Sequence, residues 1–339
     1  MPKNSSAARR EQARALAAAR GITYTHALRL LGERRHHESA LLHRALGGAL
    51  SEAMVFGLGG GVGFMYFVFE YQGQVQPTMT VVAQAHPAPM IPLALDRASV
   101  PHEVRQTGSA KVAERNLREA LASGRPAICR VGRFQLPWRP DLPFPDPVDV
   151  AVTGLDGETV SVDDDGPHEL PLAEFMAAWS ALRKDRHHLI EITGQPGGPP
   201  DVAGAIRGTA AKLTGPVLGN TFDVNFGLSG MRKLAAQLAD TTGRQGWARR
   251  FPDREAVLTR LHDCLEVEYT APGASRPLYA DFLAETGHTE ASAAYRAAGD
   301  RWSAVSTAAR RFDPLERVAE RVALAVQQEE EAVRALGQG

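Results

Sequence analysis

The sequence predicts an α+β protein, with a sheet-bearing first half and an almost wholly helical second half. Three observations carry this. Before Gly194, runs rich in β-branched and aromatic residues, such as FMYFVFEY and PAICRVG, are bounded by turn residues. The stretch GQPGGPP (Gly194–Pro200) then breaks the texture. Beyond it, apolar residues recur at helical spacing. The expected organisation is an N-terminal arm (1–33), an α+β domain with an antiparallel sheet (34–194), a linker (195–200) and a helical domain (201–339).

Residues 1–20 are rich in Ala and Arg and offer little to bury. Organisation begins at HHESALLHRALGGALSEAMVFGLGGGVGFMYFVFEY (36–71). His36 and His37 precede a helical pattern of Ala40, Leu41, Leu42, Ala45 and Leu46, with Glu38 and Ser39 in its first turn. The positive end of a helix biases a histidine toward its neutral form, which accepts a proton or binds a metal. After a tight Leu50–Glu52 turn, the charge-free run from Ala53 to Phe69 divides into two buried strands. Its glycines, at 57, 59, 60, 61 and 63, form no G-x-G-x-x-G, and no G-K-[ST] follows, so the run is no phosphate cradle. They mark a place where backbone approaches backbone closely.

Further along, 76–84 reads as a strand, 86–95 as a proline-punctuated loop and 104–106 as a brief strand. A helix spans 108–123, with Ser109 as cap and Gly124 as stop. Strand 126–132 carries Cys129 as a core residue. The segment FQLPWRPDLPFPDP (134–147) is a rigid aromatic loop, and its Trp138 suits the wall of a substrate groove. Strands 148–153 and 159–162 form a hairpin across an Asp156-Gly157 turn, closed by Asp163, Asp164 and Asp165 as a solvated turn. A helix over 170–182 and a strand over 188–193 complete the first domain. In the second, helices are expected at 201–214, 227–241, 253–266, 276–286, 289–307 and 313–335.

The segment HHESALL…LSEAMVFGLGGGVGFMY resembles the N-terminal signature of the butirosin biosynthesis protein H family. In the second half, NFGLSGMRKLAAQL (225–238) and SRPLYADFLAE (275–285) resemble the helical region that follows it, including Gly273, Arg276, Tyr279, Ala280, Phe282 and Leu283. The shared order runs from about residue 34 to about 310. The resemblance implies a papain-like fold, related to bacteriocin-processing cysteine peptidases. It also implies acyl transfer from a carrier protein to an aminoglycoside amine, in antibiotic or other secondary-metabolite biosynthesis.

A papain-like acyltransferase needs a thiolate at a helix N-terminus, a histidine base on a strand and an Asp or Asn to orient it. The family has a cysteine in the pair that is His36-His37 here. Its base opens a strand of the form H-x-V-V-V-x-G-Y-D, which corresponds to VDVAVTGLD (148–156). The base position is therefore Val148, or Asp149 with a one-residue slip, and the later aspartate is met by Asp163. On this reading His36, His37, Ser39 and Asp163 are the expected catalytic residues. Glu38, Phe64, Tyr66, Trp138, Asp149, Arg276 and Tyr279 are the expected substrate contacts.

Three functions remain open. One is amide-forming or amide-cleaving acyl transfer in which Ser39 and the histidine pair replace the dyad. Another is a pseudoenzyme or scaffold that binds without turnover. The third is metal chemistry at His36 and His37 with Glu38, Asp149 or Asp163. No cofactor is expected. The expected partners are a small-molecule amine or peptide, an acyl carrier protein, and a second copy of the chain in a homodimer. A net charge of −1 gives no bulk attraction to nucleic acid or membrane. With only Cys129 and Cys264, no disulfide framework forms, and the N-terminus lacks the apolar core of a secretion signal, so a cytoplasmic setting is expected.

Overall fold

The computed structural model describes residues 36–70, 77–139 and 146–337. The expected N-terminal arm and the centre of the Phe134–Pro147 loop lie outside these. Among the described residues the protein is α+β, with antiparallel sheets and a helical region that follows the larger sheet. It divides into two compact units. Among the described residues, one contains Glu38–Gly59 and Met90–Asp201; the other contains those of 60–89 and 202–337, together with His36 and His37.

The first unit is built on helix α1 (His37–Ala45), α2 (Glu52–Leu58), α3 (Met90–Arg97), α4 (Ala110–Leu121) and α5 (Leu172–Ser180). Its sheet comprises β3 (His102–Arg105), β4 (Ala127–Gly132), β5 (Pro147–Asp156), β6 (Thr159–Asp163), β7 (Pro167–Pro171) and β8 (Leu189–Ile192). The strands lie in the order β3-β8-β4-β5-β6-β7, each antiparallel to its neighbours. Side chains alternate across a strand. Cys129, Val131, Val148, Val150, Val152, Val160 and Val162 therefore share one face and pack with Leu117 of α4 and Phe175 and Trp179 of α5.

Two expectations are corrected in this unit. Glu52–Leu58 is a helix and not a strand: Ser51 caps it by accepting the Met54 N–H at 2.9 Å, and Glu52 sits in the positively polarised first turn. The proline-marked stretch after His86 contains α3. Pro92 lies in its first turn, where a missing N–H removes no helical bond. The sequence also concealed β7. It is an edge strand with proline at both ends, positions that tolerate a missing donor.

Among the described residues, the second unit holds the hairpin β1 (Val62–Phe69) and β2 (Thr78–Gln84) with seven helices. These are α6 (Val202–Thr214), α7 (Gly227–Ala239), α8 (Trp247–Arg250), α9 (Arg254–Glu266), α10 (Arg276–Glu285), α11 (Thr289–Arg310) and α12 (Leu315–Leu336). Helix α7 packs on β1 and α9 on β2, so the hairpin belongs with the helices, although the expected division at residue 194 places it with the first domain. The close approach expected at the glycines is present. Gly61 has φ +62°, and a Cβ there would lie 2.5 Å from the Tyr279 ring; one at Gly63 would lie 2.5 Å from the Gln84 carbonyl oxygen.

Candidate functional site

Helix α1 begins at His37, the position at which the resemblance expects a nucleophile. The expected base position is Val148 or Asp149, and the alternation of β5 separates the two. Val148 faces the apolar core shared with α4 and α5, and Asp149 points to the other side of the sheet. That other side is the one α1 addresses. Arg44, in the last turn of α1, donates Nε–H to Asp163 Oδ2 at 2.6 Å and Nη2–H to Oδ1 at 3.1 Å. Asp163 in turn lies opposite Ala151 in the β5–β6 register.

A polar row crosses three adjacent strands on this face. Asp149 of β5 lies opposite Arg130 of β4, which donates Nε–H to Oδ1 at 2.9 Å and Nη2–H to Oδ2 at 2.7 Å. His188, just before β8, is the next neighbour, with the Arg130 N–H donating to its carbonyl at 3.1 Å. Burial lowers the His188 pKa; the Asp149 charge opposes that shift and the Arg130 charge adds to it. Its Nδ1 is buried with no hydrogen-bond partner among the described residues. The negative charge of Glu38 also reaches Arg130. The row therefore carries a guanidinium neutralised mainly by Asp149, flanked by a neutral imidazole. Sequence reasoning found Asp149 and missed Arg130 and His188. Their only signal is polarity at alternate positions of otherwise apolar strands.

Asp163 also lines a cavity of about 660 Å³ with Arg44, Asp165, His168 and Glu169. Asp165 is exposed as expected of a solvated turn, but Asp164 is not. Asp164 is buried, accepts the Trp138 indole N–H at 2.7 Å and the Arg139 Nε–H at 2.8 Å, and pairs with Arg139 Nη2. The Trp138 ring stacks flat on His168, with centroids 4.1 Å apart.

The remaining expected site residues have interior partners. His36 is buried and hydrogen-bonds through Nε2 to Gln84 Oε1. Burial lowers its pKa to about 4, against the opposing hydrogen bond from Gln84, and the neighbouring His37 charge contributes in the same direction as burial. Ser39 is fully buried within α1. Phe64 stacks on Trp302 at 5.5 Å. The buried Tyr66 hydroxyl donates to Gln237 Oε1 at 2.7 Å and accepts the Trp247 N–H at 2.8 Å, while burial pushes its pKa up to about 12. Arg276 pairs with Glu329 and donates to the carbonyls of Gly63, Ala83 and Ala274. Tyr279 packs face to face with Phe282 and edge-on to Tyr295.

Neither cysteine supplies the missing thiolate. Cys129 is buried on the apolar face of β4, and burial pushes its thiol well above the ordinary range, with the Asp149 charge adding to the shift. Cys264 is buried in α9, accepts the Val81 N–H at 3.4 Å and is likewise raised by burial.

These features define an α+β protein in which a helix pairs through Arg44 with the polar face of an antiparallel sheet, with a helical region after it. Residues 36–165 match the family model described as butirosin biosynthesis protein H, N-terminal. Residues 168–336 match a domain of unknown function, DUF4872. The junction falls between β6 and β7, so strands from both matched segments build the one six-stranded sheet. No curated protein matches the chain. No helix among the described residues is long and apolar enough to cross a membrane.

Proposed function

We propose that this protein serves a butirosin-type biosynthetic pathway as a binding member of its family, holding an acyl or amine intermediate without forming a covalent acyl-enzyme. Its fold is then a papain-like one with a degenerate dyad. The observation that carries this reading is the Arg130–Asp149 pair. The strand residue facing α1 is a carboxylate already engaged by two guanidinium hydrogen bonds. That pairing holds the carboxylate against Arg130, and the chain's two thiols are buried and protonated. The acid-rich cavity beside Asp163 is the expected place for an amine.

One feature supports acyl transfer as the second reading. His188 offers a neutral imidazole beside Asp149, with a buried unpartnered nitrogen, as a base for a relocated nucleophile such as Ser39. Incubation of the purified protein with an acyl-pantetheine thioester and an aminoglycoside separates the two. The binding reading expects no mass increment on the protein and no acylated amine, with saturable aminoglycoside binding by calorimetry. An acyl adduct on Ser39, or turnover abolished by His188→Ala, overturns it in favour of the enzyme.

A further inference from the structure

A second cavity, of about 320 Å³, lies wholly within the helical unit and has a different character. Its charged groups are Lys233 of α7 and Arg250 at the end of α8. No carboxylate is among its lining residues. The Lys233 ammonium donates to the amide oxygen of buried Asn225 at 2.6 Å, a neutral partner. Partial burial lowers its pKa, and the charge of Arg250 lowers it further. Arg250 donates to Gln245 and, at 2.9 Å, to Glu70, whose side chain is 68% exposed and therefore a weak counterion. Two cations thus share one recess with little to neutralise them, an arrangement that a bound anion relieves.

Phe67, Val68, Phe222 and Val224 give the lining an apolar wall, beside the neutral polar groups of Tyr66, Thr221, Asn225 and Gln237. Phe67 of β1 stands against Phe222 with ring centroids 6.1 Å apart. Phe222 and Val224, in the single turn Thr221–Asn225, are each 56% exposed, unusual for residues of this size. The turn is held firmly beneath them. Asn220 and Asp223 form a reciprocal cap, and Asp223 also accepts the N–H groups of Val217 and Leu218 at 2.8 and 2.7 Å. The aromatic rim is therefore presented by a fixed backbone. The volume is at the small end for ligand pockets.

We propose that this recess binds a small aryl or alkyl carboxylate, its anionic group between Lys233 and Arg250 and its body against Phe67 and Phe222. The site is separate from the α1 face and does not depend on the function proposed for it.

Calorimetric titration of the full chain with phenylacetate and with its neutral isostere phenylacetamide tests this. Phenylacetate should bind saturably, on the order of tenfold or more tighter than the amide, since a charge-assisted pair contributes that much. Its affinity should fall as salt rises. Lys233→Met and Phe222→Ala should each weaken it severalfold. Phe222 is exposed, so its truncation keeps the test usable if Lys233→Met does not fold. Equal affinity for amide and carboxylate, absence of saturation, or a Phe222→Ala variant indistinguishable from wild type overturns the proposal. So does inorganic phosphate that competes as strongly as phenylacetate, because the apolar wall would then contribute nothing.

Discussion

Arg276 and Glu329 meet in the interior of the helical unit with neither side chain reaching solvent. The guanidinium also donates to Ala83 and Gly63, and so ties α10 to both strands of the β1–β2 hairpin. Trp302 completes the group, donating its indole N–H to Glu329 at 2.7 Å. Removing one partner leaves a buried charge uncompensated. Glu329→Ala should therefore destabilise the protein by about 3–5 kcal/mol, read from urea unfolding. Replacing both ionic residues with apolar ones should not restore wild-type stability, because the Ala83 and Gly63 carbonyls would lose their donors.

His36 makes stability depend on pH in a defined window. Its pKa falls from 6.5 to about 4 on folding, so the unfolded chain takes up the proton first. Above pH 6.5 both states are neutral and the residue is silent. As pH drops from 6.5 toward 4 the folded state is progressively penalised, by about 3 kcal/mol in all. His36→Gln should flatten this part of the profile relative to wild type, measured as the difference between their unfolding free energies at each pH. An unchanged difference between pH 7 and 4.5 would refute the assignment.

The thiols should be silent in the native state. Both are buried and protonated, and alkylation requires an accessible thiolate. Iodoacetamide should label neither Cys129 nor Cys264 in the folded protein, and both once guanidinium is added, as counted by intact mass. Rapid native labelling of either would reopen thiol chemistry.

Asp164 should act as a clasp for the β6–β7 corner, since it binds Trp138 and Arg139 together. Asp164→Asn weakens both interactions and should cost about 2–3 kcal/mol. Hydrogen exchange should accelerate first at the amides of β6 and β7, with a change in tryptophan fluorescence from the Trp138–His168 stack.

The helical half was legible because long apolar stripes with caps and glycine stops survive small errors. The helices that begin at Gly227, Arg254 and Arg276 fall within a residue of their expected starts. The first half was harder where elements are short. EAMVFGL is apolar all round and shows no helical period, so its Ser51 cap was its only local sign. The two prolines of β7 hid an alternation only a few residues long. At the site, α1 and β5 could be placed from sequence, but Val148 and Asp149 both stayed open until the core face of β5 separated them. The row of His188, Arg130 and Asp149 could not be anticipated, because strand order makes those three neighbours.

That strand order also constrains how the chain can be made. Among the described strands, β3 pairs with β8 and with no other, and β8 separates it from β4. Until Leu189–Ile192 has emerged from the ribosome, β3 has nowhere to dock and one margin of β4 stays bare. A nascent chain stalled short of that point presents two unsatisfied strand edges, the features that recruit chaperones and seed aggregation. Slow translation would therefore do most harm before Leu189–Ile192 has cleared the ribosome.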